Sequence, residues 1–148
     1  MNTLNILIKP WEQAFLEAYA IRREVFIREQ RVPQDMELDE YDLGAQHVLA
    51  YQGDQCIGTA RLVQLDRESA QIGRMAVLKP FRSQGIGKAI LRHLIELARS
   101  QDIFNLVLHS QVSAIPFYEQ LGFQTEGPTY EEAGIPHRNM ILLLSKTI

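Results

Sequence analysis

The chain has 148 residues, of which 46% are hydrophobic and 22% charged, a composition typical of a globular protein with one domain. Its formal net charge of −3 argues against a general nucleic-acid-binding protein, since such domains are usually clearly basic. The single cysteine, Cys56, excludes an internal disulfide and a zinc site of clustered thiolates. We therefore expect residues 1–148 to form a single domain with no metal and no nucleic-acid partner.

The amino-terminal residues 1–5 lack the basic head and the long apolar run of a signal peptide. The longest apolar run, residues 140–144, is far too short to cross a bilayer. These features predict a cytoplasmic protein with no membrane partner.

The first part of the chain predicts a strand followed by a helix. Residues 4–8 are a short apolar run that stops before Pro10. Apolar and aromatic residues then recur at steps of three and four over residues 11–30, which is the period of an amphipathic helix. Arg22, Glu29 and Gln30 interrupt or border its apolar face, where a charged group needs a partner. An ion pair and a contact to a substrate both remain open for these residues.

The next segment predicts an acidic loop and a hairpin. Residues 32–44 are rich in acidic side chains and begin at a proline, so we expect a loop with one helical turn. Such a loop could attract a cationic acceptor, but a solvated face is the simpler interpretation. Residues 47–51 and 56–65 predict two strands joined by a tight turn, and residues 66–69 lead into the next strand.

A strand, a basic glycine-containing loop and an amphipathic helix follow in residues 71–99. The strand ends before Pro80, and the loop carries Arg82, Gly85, Gly87 and a lysine. A helix start offers unpaired N–H groups and a partial positive charge, and the glycines permit close approach of a bulky anion. The segment therefore predicts a site for a phosphate-bearing ligand.

Two common phosphate-binding motifs do not fit this loop. A mononucleotide P-loop needs glycine at Arg82 and serine or threonine at Ala89. A dinucleotide fingerprint needs a third glycine at Ile90 and an acidic residue near Asn105. Both motifs are therefore excluded.

The last third of the chain predicts one central strand, one short helix and two further strands. Residues 104–110 alternate as a strand would, and Ser113 could cap a helix that ends near Gly122. Residues 123–126 and 138–144 predict the last two strands. The apolar final strand leaves open a homodimer formed by strand pairing as well as an internal core strand.

The pattern Arg82-x-x-Gly85-x-Gly87, between a strand and a helix, resembles the pyrophosphate loop of the GNAT superfamily of acyl-CoA-dependent N-acyltransferases. The segment 114–123, Ala-Ile-Pro-Phe-Tyr-Glu-Gln-Leu-Gly-Phe, is similar to the GNAT segment after the fifth strand. Within the superfamily the chain resembles the bacterial ElaA-like branch. The resemblance implies an α+β fold with α/β/α layers, built on a mixed, mostly antiparallel sheet of about seven strands with about four helices.

The resemblance also implies the co-substrate acetyl-CoA and the residues that bind it. Tyr118 is expected to act as the general acid that protonates the departing thiolate. The main chain of the strand, at a bulge that splays it from the next strand, is expected to contact the pantetheine arm, and the loop is expected to contact the diphosphate. The residues expected to bind the cofactor are Met75, Ala76, Val77, Arg82, Ser83, Gln84, Gly85, Ile86, Gly87, Lys88, Gln111, Ser113 and Phe117.

The general base and the acceptor site are less determined. Histidine changes its protonation near neutral pH, which makes His137 a suitable base, but Glu29, Glu132 and His109 remain open as alternatives. The candidates for acceptor binding or for the base are Arg22, Glu29, Arg74, His109, Glu132 and His137. For Arg74 an ion pair is the alternative to acceptor binding.

Three functions are compatible with the sequence. The first is an N-acetyltransferase that moves an acetyl group from acetyl-CoA to a primary amine, small or protein-borne, by direct attack in a ternary complex. The second is a non-catalytic acyl-CoA binding or sensing module, and the third is a structural protein whose glycines only form turns.

Overall fold

The structure, a computed structural model, describes residues 3–145, with the side chain of Met36 excepted. The predicted domain 1–148 also includes residues 1–2 and 146–148, which lie outside the described residues. The strands are β1 (Leu4–Pro10), β2 (Gln46–Gln52), β3 (Gln55–Gln64), β4 (Ser69–Val77), β5 (Asn105–Gln111), β6 (Gln124–Glu132) and β7 (Ile135–Leu143). The helices are α1 (Trp11–Arg22), α2 (Gln34–Glu37), α3 (Ile86–Ser100) and α4 (Ile115–Glu119).

The described strands form one sheet in the order β1-β2-β3-β4-β5-β7-β6. The β4–β5 pair is parallel and the other neighbours are antiparallel, which confirms the predicted mixed sheet and its fold class. Since β7 is paired on both sides, its apolar character follows from an internal position, and it offers no edge to a second copy.

Helices cover both faces of the sheet. Helix α3 buries Ile90, Leu94 and Ala98 in the main core, together with alternate residues of β2 such as Val48. Leu49 points to the other face and packs against α1. This is the layered arrangement that the amphipathic pattern of α3 predicts.

Strands β4 and β5 pair only over Ser69–Ile72 and 105–108, and then diverge. The register between β3 and β4 shifts between Thr59 and Arg61, and Arg74 has a φ of 50°, so β4 contains a bulge at this point. The predicted bulge is confirmed. The divergence from β5 leaves the second half of β4 without a strand partner on that side.

Three sequence predictions are wrong in detail. The first helix is α-helical only to Arg22 and continues as a π-helical segment over Arg23–Glu29. Ser113 lies in a 3₁₀ turn (Val112–Ala114) before α4 and its hydroxyl caps no helix. Strand β6 is much longer than expected, because 127–129 forms a bulge rather than a loop and the strand continues to Glu132, while β7 begins three residues earlier than expected, at Ile135.

The final hairpin owes its length to two local features. Arg138 Nε donates to the carbonyl of Gly127 at 2.8 Å, which holds the bulge against β7. Ala133 and Gly134 both have positive φ, as a two-residue type I′ turn requires. The hairpin therefore extends along β5 as far as Gln111, which pairs with His137.

Candidate active site

The glycine loop and the start of α3 form an open cradle of backbone N–H groups. Gly85 precedes α3 with a φ of 81°, and a Cβ there would meet no heavy atom within 4 Å. Ser83 and Gln84 are exposed, whereas the side chain of Ile86 is buried in the core, so only its main chain faces the cradle. Gly87 and Lys88 complete the first turn of α3, whose N–H groups have no partner within the helix. A diphosphate fits this geometry.

Arg82 is held by protein groups on two sides. Its Nη1 and Nη2 each donate to the Glu29 carboxylate at 2.7 Å, and its Nε donates to the carbonyl of Val77 at 2.8 Å. The hydrogen bond from Arg82 holds the pKa of Glu29 below its usual value. Arg82 therefore ties the π-helical segment to both the loop and the end of β4.

The end of β4 borders the gap left by β5. Leu78 N–H donates to the carbonyl of Ile57 in β3 at 2.9 Å. Because successive strand residues direct their N–H groups to opposite sides, the N–H of Val77 points away from β3 into the gap. Met75 lines the cavity described below, while Ala76 is buried against Ile21 of α1.

Helix α4 places two aromatic rings beside the loop. A Cβ on Gly87 would lie 3.4 Å from Cζ of Phe117, so Phe117 packs directly against the start of α3. Tyr118 contacts Phe117 edge to face and lines the cavity. Burial raises the pKa of the Tyr118 phenol to about 12, so this group keeps its proton at neutral pH.

A cavity of about 670 Å³ lies next to the gap, on the sheet face opposite α3. It brings together Arg74, His109, Glu132 and His137, four of the predicted acceptor-site residues. His109 Nδ1 lies 3.1 Å from Glu132 Oε1, and His137 Nε2 lies 3.6 Å from Glu132 Oε2. The main-chain carbonyl of Ile135 accepts a hydrogen bond from His137 Nδ1 at 2.7 Å, so the neutral ring carries its lone pair on Nε2.

Arg22 lies outside this cavity. It is 1% exposed and donates to both carboxylate oxygens of Glu37 and, at 2.8 and 3.0 Å, to both of Asp42. Glu37 and Asp42 are also buried, so the prediction of a solvated acidic face is wrong for them. Arg22 holds the acidic loop on the fold and is not positioned to bind an acceptor.

The same network continues into the cavity wall. Arg61 donates to Asp39 at 2.7 and 2.8 Å and to Asp42 at 2.9 Å, and Arg74 Nη2 donates to Asp39 at 3.0 Å. Burial opposes ionisation of Asp39 and Asp42, but the arginines outweigh it and lower the pKa of both carboxyl groups. Three arginines and three carboxylates thus form one balanced network.

The two remaining cofactor candidates lie at the end of β5. Gln111 is half-buried, and its Nε2 donates to the side-chain carbonyl of Gln30 at 2.8 Å. Ser113 is exposed in the following turn. Gln30 thus links the π-helical segment to β5, next to the Glu29 link to Arg82.

Sequence reasoning missed Glu37, Asp39 and Arg61 as site-forming residues. The signal was an arginine inside an apolar strand, since Arg61 stands between Ala60 and Leu62 and needs a buried partner. Among residues 3–145, no three His, Cys, Asp or Glu side chains are grouped as a metal site would require. No helix in that range is long and apolar enough to cross a membrane.

Comparison with known proteins gives the family. The model of the acetyltransferase (GNAT) domain matches residues 10–144, almost the whole chain. This chain belongs to the GNAT acetyltransferase family. The GNAT domain is 38% identical over 135 residues to the uncharacterised protein YyaT of Bacillus subtilis, covering 89% of this chain and 90% of YyaT.

Solved structures agree with this assignment. The GNAT domain is similar to ElaA of Escherichia coli, with a TM-score of 0.83, 25% identity and coverage of 93% of this chain and 99% of ElaA. It is also similar to an acyl-CoA N-acyltransferase of Pseudomonas aeruginosa, with a TM-score of 0.85, 26% identity and coverage of 95% and 99%. The predicted resemblance to the ElaA-like branch is confirmed.

Proposed function

We propose that this protein transfers an acetyl group from acetyl-CoA to a primary amine by direct attack in a ternary complex. The observation that carries the proposal is the divergence of β5 from β4 between the glycine loop and the cavity that Tyr118, His137 and Glu132 line. Acetyltransferases of this family use acetyl-CoA, and the cradle before α3 suits its diphosphate.

Each group that acyl transfer needs has a candidate here. His137 Nε2 takes the proton of the attacking amine, and Glu132 stabilises the imidazolium that forms. The N–H of Val77 stabilises the negative charge that develops on the thioester carbonyl oxygen. Tyr118 gives its proton to the departing thiolate.

The proposal is tested by titration calorimetry with acetyl-CoA, followed by an assay of free thiol release over a panel of amines. We expect binding at one site per chain and thiol release with at least one amine. If acetyl-CoA does not bind to the folded protein, the proposed function is wrong. Binding without thiol release for any amine would favour the sensing module instead.

A matched pair of glycine variants sharpens this test. Gly85 and Gly53 both have positive φ, and a Cβ on either would meet nothing within 4 Å. Gly85→Asp places a carboxylate in the proposed diphosphate cradle and is expected to abolish acetyl-CoA binding. Gly53→Asp, in the distant hairpin turn, is expected to bind as the unchanged protein does.

A separate prediction concerns Glu29, one of the candidate bases. Since its carboxylate is bound to Arg82, we expect Glu29→Gln to leave kcat within about threefold and to weaken acetyl-CoA binding by at most about fivefold, the scale of a partly exposed ion pair. Glu132→Gln removes the carboxylate that stabilises the protonated base His137 and should lower kcat by about 100-fold, the lower end of the contribution of acid–base catalysis.

Steady-state kinetics with both variants measure these effects. Glu24→Gln serves as a control, because Glu24 forms an exposed pair with Arg28 in the same segment. A 100-fold loss of kcat in Glu29→Gln would contradict the prediction and assign the base to Glu29.

A further inference from the structure

Large apolar side chains are exposed in the lining of the active-site cavity, and Val63 and Leu65 mark its apolar end. Tyr41 is 52% exposed and Leu65 is 51% exposed, and both line the cavity together with Val63. Leu38, in the same acidic loop as Tyr41, is 40% exposed. Apolar side chains gathered beside a pocket indicate a binding surface more often than isolated ones do.

The strand register places this apolar end far from the reactive groups. Ile72 pairs with Leu108 in a parallel register, so Gln111 of β5 lies at about the level of Met75. Gln111 in turn pairs with His137 of the neighbouring strand β7. His137 is therefore at the Met75 end of the cavity.

The apolar end lies at the start of β4. Val63 pairs with Gln71, and Leu65 N–H donates to the carbonyl of Ser69 at 2.8 Å. Met75 lies four positions after Gln71, which is about 13 Å along a strand. The cavity thus has a reactive end and an apolar end about 13 Å apart.

The apolar end is preformed. Tyr41 N–H donates to Asp39 Oδ1 at 3.0 Å, and Asp39 is itself held by Arg61 and Arg74. The segment that carries Tyr41 is therefore anchored to the sheet by ion pairs. A ligand group that packs there loses little free energy to ordering of the protein.

The charges between the two ends are balanced. Of the described lining residues, Glu37 and Asp39 are paired with arginines, and Glu132 contacts His109. A polyamine would need further carboxylates without partners to bind its second ammonium group. The middle of the cavity suits a neutral chain better than a second charge.

We infer that the apolar end of the cavity binds an apolar or aromatic group of the acceptor, so that the acceptor is an amine carried on an extended apolar body. The inference rests on the proposed function for the position of the amine. The cavity volume of about 670 Å³ is in the range that accommodates such a molecule.

The test compares phenylalkylamines of increasing chain length with α,ω-diamines of equal length. Binding is measured by titration calorimetry, which does not depend on turnover, and thiol release from acetyl-CoA is measured in parallel. We expect the phenylalkylamine that spans the cavity to bind at least about tenfold more tightly than its diamine, with a negative heat-capacity change. Equal or tighter binding of the diamine would overturn the inference.

Two variants locate the effect. Tyr41→Ser and Leu65→Ser should each weaken phenylalkylamine binding about tenfold, while the affinity for acetyl-CoA stays unchanged. Leu16→Ser, which removes an 80% exposed leucine outside the cavity lining, should have no effect. Unchanged phenylalkylamine affinity in both cavity variants would also overturn the inference. Amine binding without thiol release would contradict the proposed function but not the apolar site.

Discussion

Replacing Tyr118 by phenylalanine is expected to lower kcat by about 10²–10⁴-fold, the contribution typical of a general acid, while acetyl-CoA affinity stays within about twofold. The change removes one hydroxyl group and keeps the ring that packs against Phe117 and Phe123. Because burial keeps the phenol protonated at neutral pH, the lost group is a proton donor. Steady-state thiol release measures kcat, and calorimetry measures the affinity.

Tyr51→Phe is the matched control for this change. The Tyr51 hydroxyl donates to Glu17, away from the cavity lining, so its loss should leave kcat unchanged. A Tyr118→Phe protein with kcat within a few-fold of the original would contradict the general-acid role. If the protein without substitutions binds acetyl-CoA but shows no detectable turnover, the sensing module is favoured instead.

Replacing Arg22 by methionine is expected to lower the free energy of unfolding by about 3–5 kcal/mol, the effect of removing one partner of a buried ion pair. Methionine retains most of the apolar contacts but leaves Glu37 and Asp42 buried without their shared cation. Since a typical domain is stable by only about 5–15 kcal/mol, this is a large fraction of the total. Urea denaturation followed by circular dichroism measures the change.

Arg28→Met is the control for the loss of an arginine. Arg28 is 65% exposed in its pair with Glu24, and exposed pairs contribute about 0–1 kcal/mol. The expected destabilisation is therefore below about 1 kcal/mol. If Arg22→Met were equally mild, the network would not be what holds the acidic loop against the sheet.

The local parts of the fold could be predicted from sequence. The apolar period of α3 and the glycine before it act within a few residues, and the structure places the helix where the pattern predicts it. Tyr118 was predicted from a motif, and the structure places it in the cavity lining, in contact with Phe117. Its catalytic role stays a prediction until the variant is measured.

The partners of charged residues could not be predicted in the same way. Arg22 bonds to Glu37 and Asp42, which are 15 and 20 positions away, and Arg74 bonds to Asp39 at 35 positions. Composition and periodicity carry no information about which of several acids meets which arginine. The acidic run therefore resembles a solvated face in sequence although two of its carboxylates are buried.

The sequence by itself determined the strand, glycine loop and helix of a GNAT domain, because glycine conformations and apolar periods are set by neighbouring residues. Only the tertiary structure decided that the acidic loop forms a wall of the cavity and that His109, Glu132 and His137 meet there. The bulge in β6, the bulge in β4 and the divergence of β5 bring these distant segments together. Such contacts depend on strand register and packing across the whole sheet.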